Sequence, residues 1–162
     1  MTRGGNVWFD KLGLSWTSPA NQQTVEYLST LCQELADMGF DEIVLDCAGY
    51  PNAGEVNVLA TSDNRPENLT VPVSAFLERI SGELKEKGAL LSVQTTEDAV
   101  RGENTLSGVT SAGLVQYADR VWLPAPVKGS DYAAIFAAAG MEDTLPRLVV
   151  QNSFSNEGSW YR

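Results

Sequence analysis

Asp46 closes a short apolar run, Ile43-Val44-Leu45, and Glu97 lies three residues past a second run that ends at Gln94. Asp10, Pro124, Gln151 and Asn152 follow other apolar runs. Trp16, Tyr50, Trp122, Phe154 and Trp160 lie near these positions in the chain. Carboxylates and amides bind hydroxyl groups, and a flat ring packs on the apolar face of a pyranose, so this collection suits a sugar. Glycoside hydrolysis needs two carboxyl groups in different protonation states, about 5 Å apart for retention and wider for inversion. That chemistry needs no histidine and no cofactor. Plainer roles compete. An acid after a strand often caps a loop through backbone amides, and Glu97 and Asp98 suit that role. Trp122 and Trp8 also suit core packing.

The composition narrows the chemistry. The 162 residues contain no histidine, two cysteines and a formal charge of −10. Ser-His-Asp and Cys-His catalysis are excluded, and a zinc site is disfavoured. Acid–base work falls to carboxylate, lysine, tyrosine or cysteine. No basic patch is available for nucleic acid, and the charge disfavours anionic membrane surfaces. No segment is long and apolar enough to span a bilayer. Cys32 and Cys47 read as reduced, buried thiols acting as small apolar residues. The start, Met-Thr-Arg-Gly-Gly, lacks the apolar run of a signal peptide, and compartment is not legible.

The elements that must position the rim alternate strand and helix. Val7-Trp8-Phe9 reads as a first strand ending at Asp10. Ser18 and Pro19 read as a helix start, and Val25, Leu28, Leu31, Cys32, Leu35 and Met38 recur at helical spacing. Gly39 stops that helix before a strand over 43–46. A polar loop from Cys47 to about Thr70 is long enough to carry function. Pro72 opens a helix with the stripe Val73, Phe76, Leu77, Ile80 and Leu84, closed by Gly88. Ala89–Val93 is the third strand. A weaker helix over 109–118, a strand over 120–123, a helix beginning at Ser130 and ending at Gly140, and a strand over 148–151 complete the order. Five strands and four helices predict an α/β fold of parallel βαβ units, with every post-strand loop on one rim. No G-x-G-x-x-G follows the first strand and no P-loop occurs, so no nucleotide cofactor is implied.

The run Glu34-Leu35-Ala36-Asp37-Met38-Gly39-Phe40-Asp41-Glu42-Ile43-Val44-Leu45-Asp46, with Tyr50-Pro51 after it, resembles the DUF4015-type glycoside hydrolases. Their pattern is E-L-x-x-x-G-F-D-E-I-x-x-D-Y-x-R-F-P. Ala118-Asp119-Arg120-Val121-Trp122 and Arg147-Leu148-Val149-Val150-Gln151-Asn152 resemble two later strands of that family. The resemblance implies a (β/α)8 TIM-barrel-like fold related to the α-amylase superfamily, a polysaccharide ligand and no cofactor. It implies Asp46 as nucleophile or transition-state stabiliser and Glu97 as acid/base, with Asp10, Tyr50, Gln94, Trp122 and Gln151 shaping the sugar site. Two departures stand out. The family's arginine after the strand-end acid is missing from Asp46-Cys47-Ala48-Gly49-Tyr50-Pro51, and Gln94 stands where the family strand ends in an acid. An amide is neither nucleophile nor useful proton donor.

A closed barrel has eight βα units. The chain is therefore expected to form one α/β domain over residues 1–162, a partial or rearranged barrel belonging to a longer, extracellular or cell-surface protein. A missing N-terminal half or a homodimer would cover the open sheet edges. Two alternatives remain: a non-catalytic carbohydrate-binding or structural module of the same fold, and an unrelated open, flavodoxin-like domain for a small ligand or a protein partner. The enzyme reading requires a second carboxyl in the cleft of Asp46. The binding module leaves Asp46 alone there among aromatic rings. The open sheet leaves segment 7–9 out of barrel order beside strand 43–46.

Overall fold

The computed structural model describes residues 2–103, 105–123 and 129–150. Helix α1 spans Gln22–Asp37, strand β1 Glu42–Leu45, α2 Thr70–Glu86, β2 Leu90–Gln94, α3 Glu97–Arg101 and α4 Ser111–Tyr117. Strand β3 spans Arg120–Leu123, α5 Gly129–Ala138, α6 Thr144–Arg147 and β4 Leu148–Val150. The strands are parallel and lie side by side in chain order, β1-β2-β3-β4. The order never reverses, as it must in a flavodoxin-like, doubly wound sheet. It is the order of a barrel wall.

Glycine ends α1, α2 and α5. Gly39, Gly88 and Gly140 have φ of 95°, 75° and 93°. Behind each glycine the next backbone N–H reaches five residues back: Phe40 to the Leu35 carbonyl, Ala89 to Leu84 and Met141 to Phe136. Only glycine adopts this left-handed closure without strain, and it satisfies carbonyls a helix end leaves bare. The helix start expected at Ser18 and Pro19 lies instead at Asn21, whose side chain accepts from Thr24 N at 3.0 Å. The Ser18 hydroxyl is used elsewhere: it accepts from Ala20 N at 3.0 Å and donates to the Asn64 carbonyl.

The sheet has two unlike faces. Ile43, Leu91, Val93, Val121, Leu123 and Leu148 alternate along the strands and are buried beneath the helices. The stripe Val73, Phe76, Leu77, Ile80 and Leu84 of α2 is buried against them, as its spacing requires. On the other face stand Glu42, Val44, Ser92, Gln94, Arg120 and Trp122. Arg120 Nη1 bonds Glu42 Oε2 at 2.5 Å, and Ser92 Oγ and Trp122 Nε1 donate to Glu42 Oε1. A carboxylate with three donors is a stable way to keep charge on a part-covered face.

The first expected strand, 7–9, is not part of the sheet, which has four strands among the described residues. Asp10 Oδ1 accepts from Leu12 N at 2.8 Å and Leu14 N at 2.9 Å, and Gly13 turns with φ of 75°. This side-chain capture folds the segment back, so Phe9 bridges Ser15 rather than another strand. The long loop after β1 is built from local pieces. Leu59 bridges Thr2, Ser62 bridges Arg65, and the Trp8 indole donates to the Glu55 carbonyl at 3.3 Å. Ile80→Ala should lower stability by about 2–5 kcal/mol in urea denaturation, because the side chain is fully enclosed. Tyr27→Ala, at a position 68% exposed on α1, should change it by under about 0.5 kcal/mol.

Candidate functional site

Asp46 is the first residue past β1 and continues the alternation of Glu42 and Val44, which sets it on the polar side of the rim. Its Oδ1 accepts from Cys47 N at 2.8 Å. Cys47 then takes φ of 54°, a left-handed conformation rare for a residue with a side chain, and the chain bends sharply. Two residues later the loop meets another backbone. A Cβ on Gly49 would lie 2.3 Å from the Ser107 carbonyl oxygen, which accepts from Tyr50 N at 2.8 Å. Gly108, with φ of 74°, makes a second close approach: its Cβ would lie 2.4 Å from the Leu69 carbonyl oxygen. These contacts lock the loop after β1 to the loop before α4. They bury Tyr50 to 3% exposure, with its hydroxyl 3.4 Å from Ser18 Oγ.

Two clefts result, sharing Trp16 and Tyr50. One, about 260 Å³, lies over the tips of β1 and β2 and is lined by Asp46, Gln94, Asn52 and Thr96 as well as those two rings. The other, about 350 Å³, runs between the N-terminal segment and the loop after β1, with Trp8, Asn21, Ser62 and Arg65 in its walls. Together they form an aromatic trough with hydroxyls, amides and one carboxylate at one end.

The structure thus brings Asp46, Gln94 and Tyr50 into one cleft. Trp122 is the register partner of Gln94 on the same sheet face, with its indole on Glu42. Asp10 is not among the residues lining either cleft, and its Oδ2 accepts from the Trp16 indole at 3.1 Å. Glu97 is not among the residues lining the cleft of Asp46. It opens α3, pairs with Arg101 at 3.0 Å, and its carboxyl is held below the usual value by the Tyr132 hydroxyl first and then Arg101. A general acid needs the opposite shift. Gln151 lies outside the described residues. Cys32 is buried as expected, but Cys47 is exposed; partial burial and then the charge of Asp46 push its thiol up, away from a reactive thiolate. Among the described residues no cluster of acids and cysteines could hold a metal ion.

Residues 1–159 match the model of DUF4015, described as a putative glycosyl hydrolase domain. The chain belongs to the DUF4015 family. No curated protein is similar enough to match it. Among solved structures it is similar to the Group IV chitinase of Ostrinia furnacalis, at 15% identity and TM-score 0.56, over 82% of this chain and 40% of that one. It is similar to the chitinase of Chromobacterium violaceum, at 18% identity and TM-score 0.53, over 88% and 46%. A third is the Group II chitinase catalytic domain 2 of Ostrinia furnacalis in complex with penta-N-acetylchitooctaose, at 14% identity and TM-score 0.55, over 82% and 39%. The chain therefore spans less than half the length of these chitinases. Its four-stranded wall corresponds to part of their barrel-like fold.

In this DUF4015 domain the site missed by sequence reasoning is the second cleft. Trp8 read as core, and it is buried, yet its ring also lines that cleft. Arg65 sat in a polar loop with nothing local to mark it. Gly49 and Gly108 gave the available signal, since glycine in a loop often marks a close backbone approach.

Gly49→Ala should lower stability by more than about 2 kcal/mol, read by thermal denaturation, because the Ser107 carbonyl oxygen it would press against is held by its bond from Tyr50 N. The Asp10 carboxyl is held below its ordinary value of 3.8 by the Leu14 amide, then the Trp16 indole and the Leu12 amide. A lowered carboxylate stabilises the fold above its unfolded value and loses that effect as pH falls through the lower folded one. Acid titration should therefore shift tryptophan fluorescence below about pH 4 as Trp16 is released. Asp10→Asn should remove that step.

Proposed function

We propose that this DUF4015 domain binds polysaccharide along the joined clefts, with Asp46 as the carboxylate at the reacting end. The observation carrying the reading is one strand-tip carboxylate in a trough walled by Trp16 and Tyr50. The part-exposed Trp16 indole offers a flat face to a pyranose ring, while Asn52, Gln94 and Thr96 offer partners to ring hydroxyls. The oligosaccharide complex of a chitinase of similar fold supports a saccharide ligand. Hydrolysis requires a second carboxyl. The four strands among the described residues are half of an eight-stranded wall, and in this reading the remaining βα units supply it.

A second reading, a binding module without turnover, is favoured by one specific observation. Asp46 is the only carboxylate lining its cleft among the described residues, and Glu97 is engaged with Arg101 and Tyr132.

The test is reducing-end release from a panel that includes chitin oligosaccharides, using the full natural polypeptide that carries this domain. Asp46→Asn should lower turnover at least about 100-fold with substrate affinity changed only a few-fold. Trp16→Ala should weaken binding. Unchanged turnover in Asp46→Asn removes that residue from the mechanism. Binding without turnover in the unaltered protein establishes the second reading.

A further inference from the structure

We propose that the cleft beside Tyr50 selects an acidic sugar, with Arg65 receiving the carboxylate of a uronic acid unit. The inference rests on the reading that these clefts hold saccharide. Its basis is a guanidinium without a partner. Arg79, Arg101 and Arg120 pair with carboxylates, and Arg147 donates to three backbone carbonyls. Arg65 is partly buried, its Nε is wholly covered, and that Nε has no hydrogen-bond acceptor. Its side chain makes no hydrogen bond or ion pair with any described residue, and Glu67, two residues on, forms no ion pair with it. A guanidinium carries five donors and cannot shed its charge, so one left half-covered and unanswered is costly unless something else completes it.

The surroundings specify the ligand. Among the described residues lining this cleft, Arg65 is the only one with a formal charge. The rest of the wall is Trp8, Trp16, Tyr50 and small hydroxyls and amides, which suits a pyranose ring rather than a bare ion. Burial holds the Tyr50 phenol up, so it stays a neutral donor beside the arginine. One fork with no second cation matches one planar, singly charged carboxylate. In a chain of net charge −10, that local positive charge lowers the repulsion an anionic polymer meets at this cleft.

The experiment compares tri-galacturonate, its methyl ester and neutral chitotriose by calorimetry on the full chain, at low and high salt. The acid should bind at least about tenfold tighter than its ester, which lacks the hydrogen-bonded charge. The preference should shrink as salt rises. Arg65→Gln should abolish the preference for acid over ester, and Arg65→Lys should keep part of it. Equal binding of acid and ester by the unaltered chain overturns the proposal, and that comparison does not depend on how any variant folds. A preference that survives in Arg65→Gln overturns it too, as does a preference for galactose-6-sulfate trisaccharide over the uronate. Binding of chitotriose alone removes the acidic-sugar inference and leaves the saccharide reading standing. Binding of none of the three removes both.

Discussion

Parallel strands laid side by side in chain order send every crossover the same way, so the helices collect on one face of the sheet. Everything else in the molecule follows from that asymmetry. The helix-covered face takes Ile43, Leu91, Val93, Val121, Leu123 and Leu148, and α2 seals it with an unbroken apolar stripe. The opposite face has no helix layer of its own, and in a closed barrel it would look inward. Here it is polar. Glu42, the first residue of β1, gathers donors from Ser92, Arg120 and Trp122, which ties the register of three strands together. A one-residue slip would turn this network into the helices and push Leu91 and Val121 outward.

Because all strands point the same way, their carboxyl ends share one rim, and the loops that leave them set the chemistry. Asp46 and Gln94 meet there by strand geometry alone. The aromatic walls need more. Tyr50 is set by a backbone contact possible only because Gly49 has no side chain, and Trp16 is set by the Asp10 carboxylate that also folds the N-terminal segment. Asp10, expected from its sequence position to shape the sugar site, bonds the ring that lines the cleft.

Much of this was legible in the sequence where the cause was local. Glycine stops at 39, 88 and 140, the stripe of α2 and the strand 120–123 are all settled within a dozen residues, and the structure follows them. Family membership was carried by residues 34–51, where helix end, strand and rim acid run consecutively. The failures share a different cause. Segment 7–9 has the composition of a strand, but Asp10 and Gly13 turn it before it can pair. Ser18 looks like a helix cap, yet its hydroxyl is taken by Asn64, forty-six residues away. The second cleft, with Trp8, Tyr50 and Arg65, exists only after the long loop has closed on the N-terminal segment, and no local pattern announces that closure.

The long loop after β1 is pinned at Ser107, at Leu59 and again at Leu69, where Gly108 presses against it. It is a buttress, unlike the hinged flaps that close over substrates in many enzymes. A trough assembled before its guest arrives forfeits little entropy on occupancy. Capture should then be governed by encounter frequency, and residence time by how firmly the rings and hydroxyls grip.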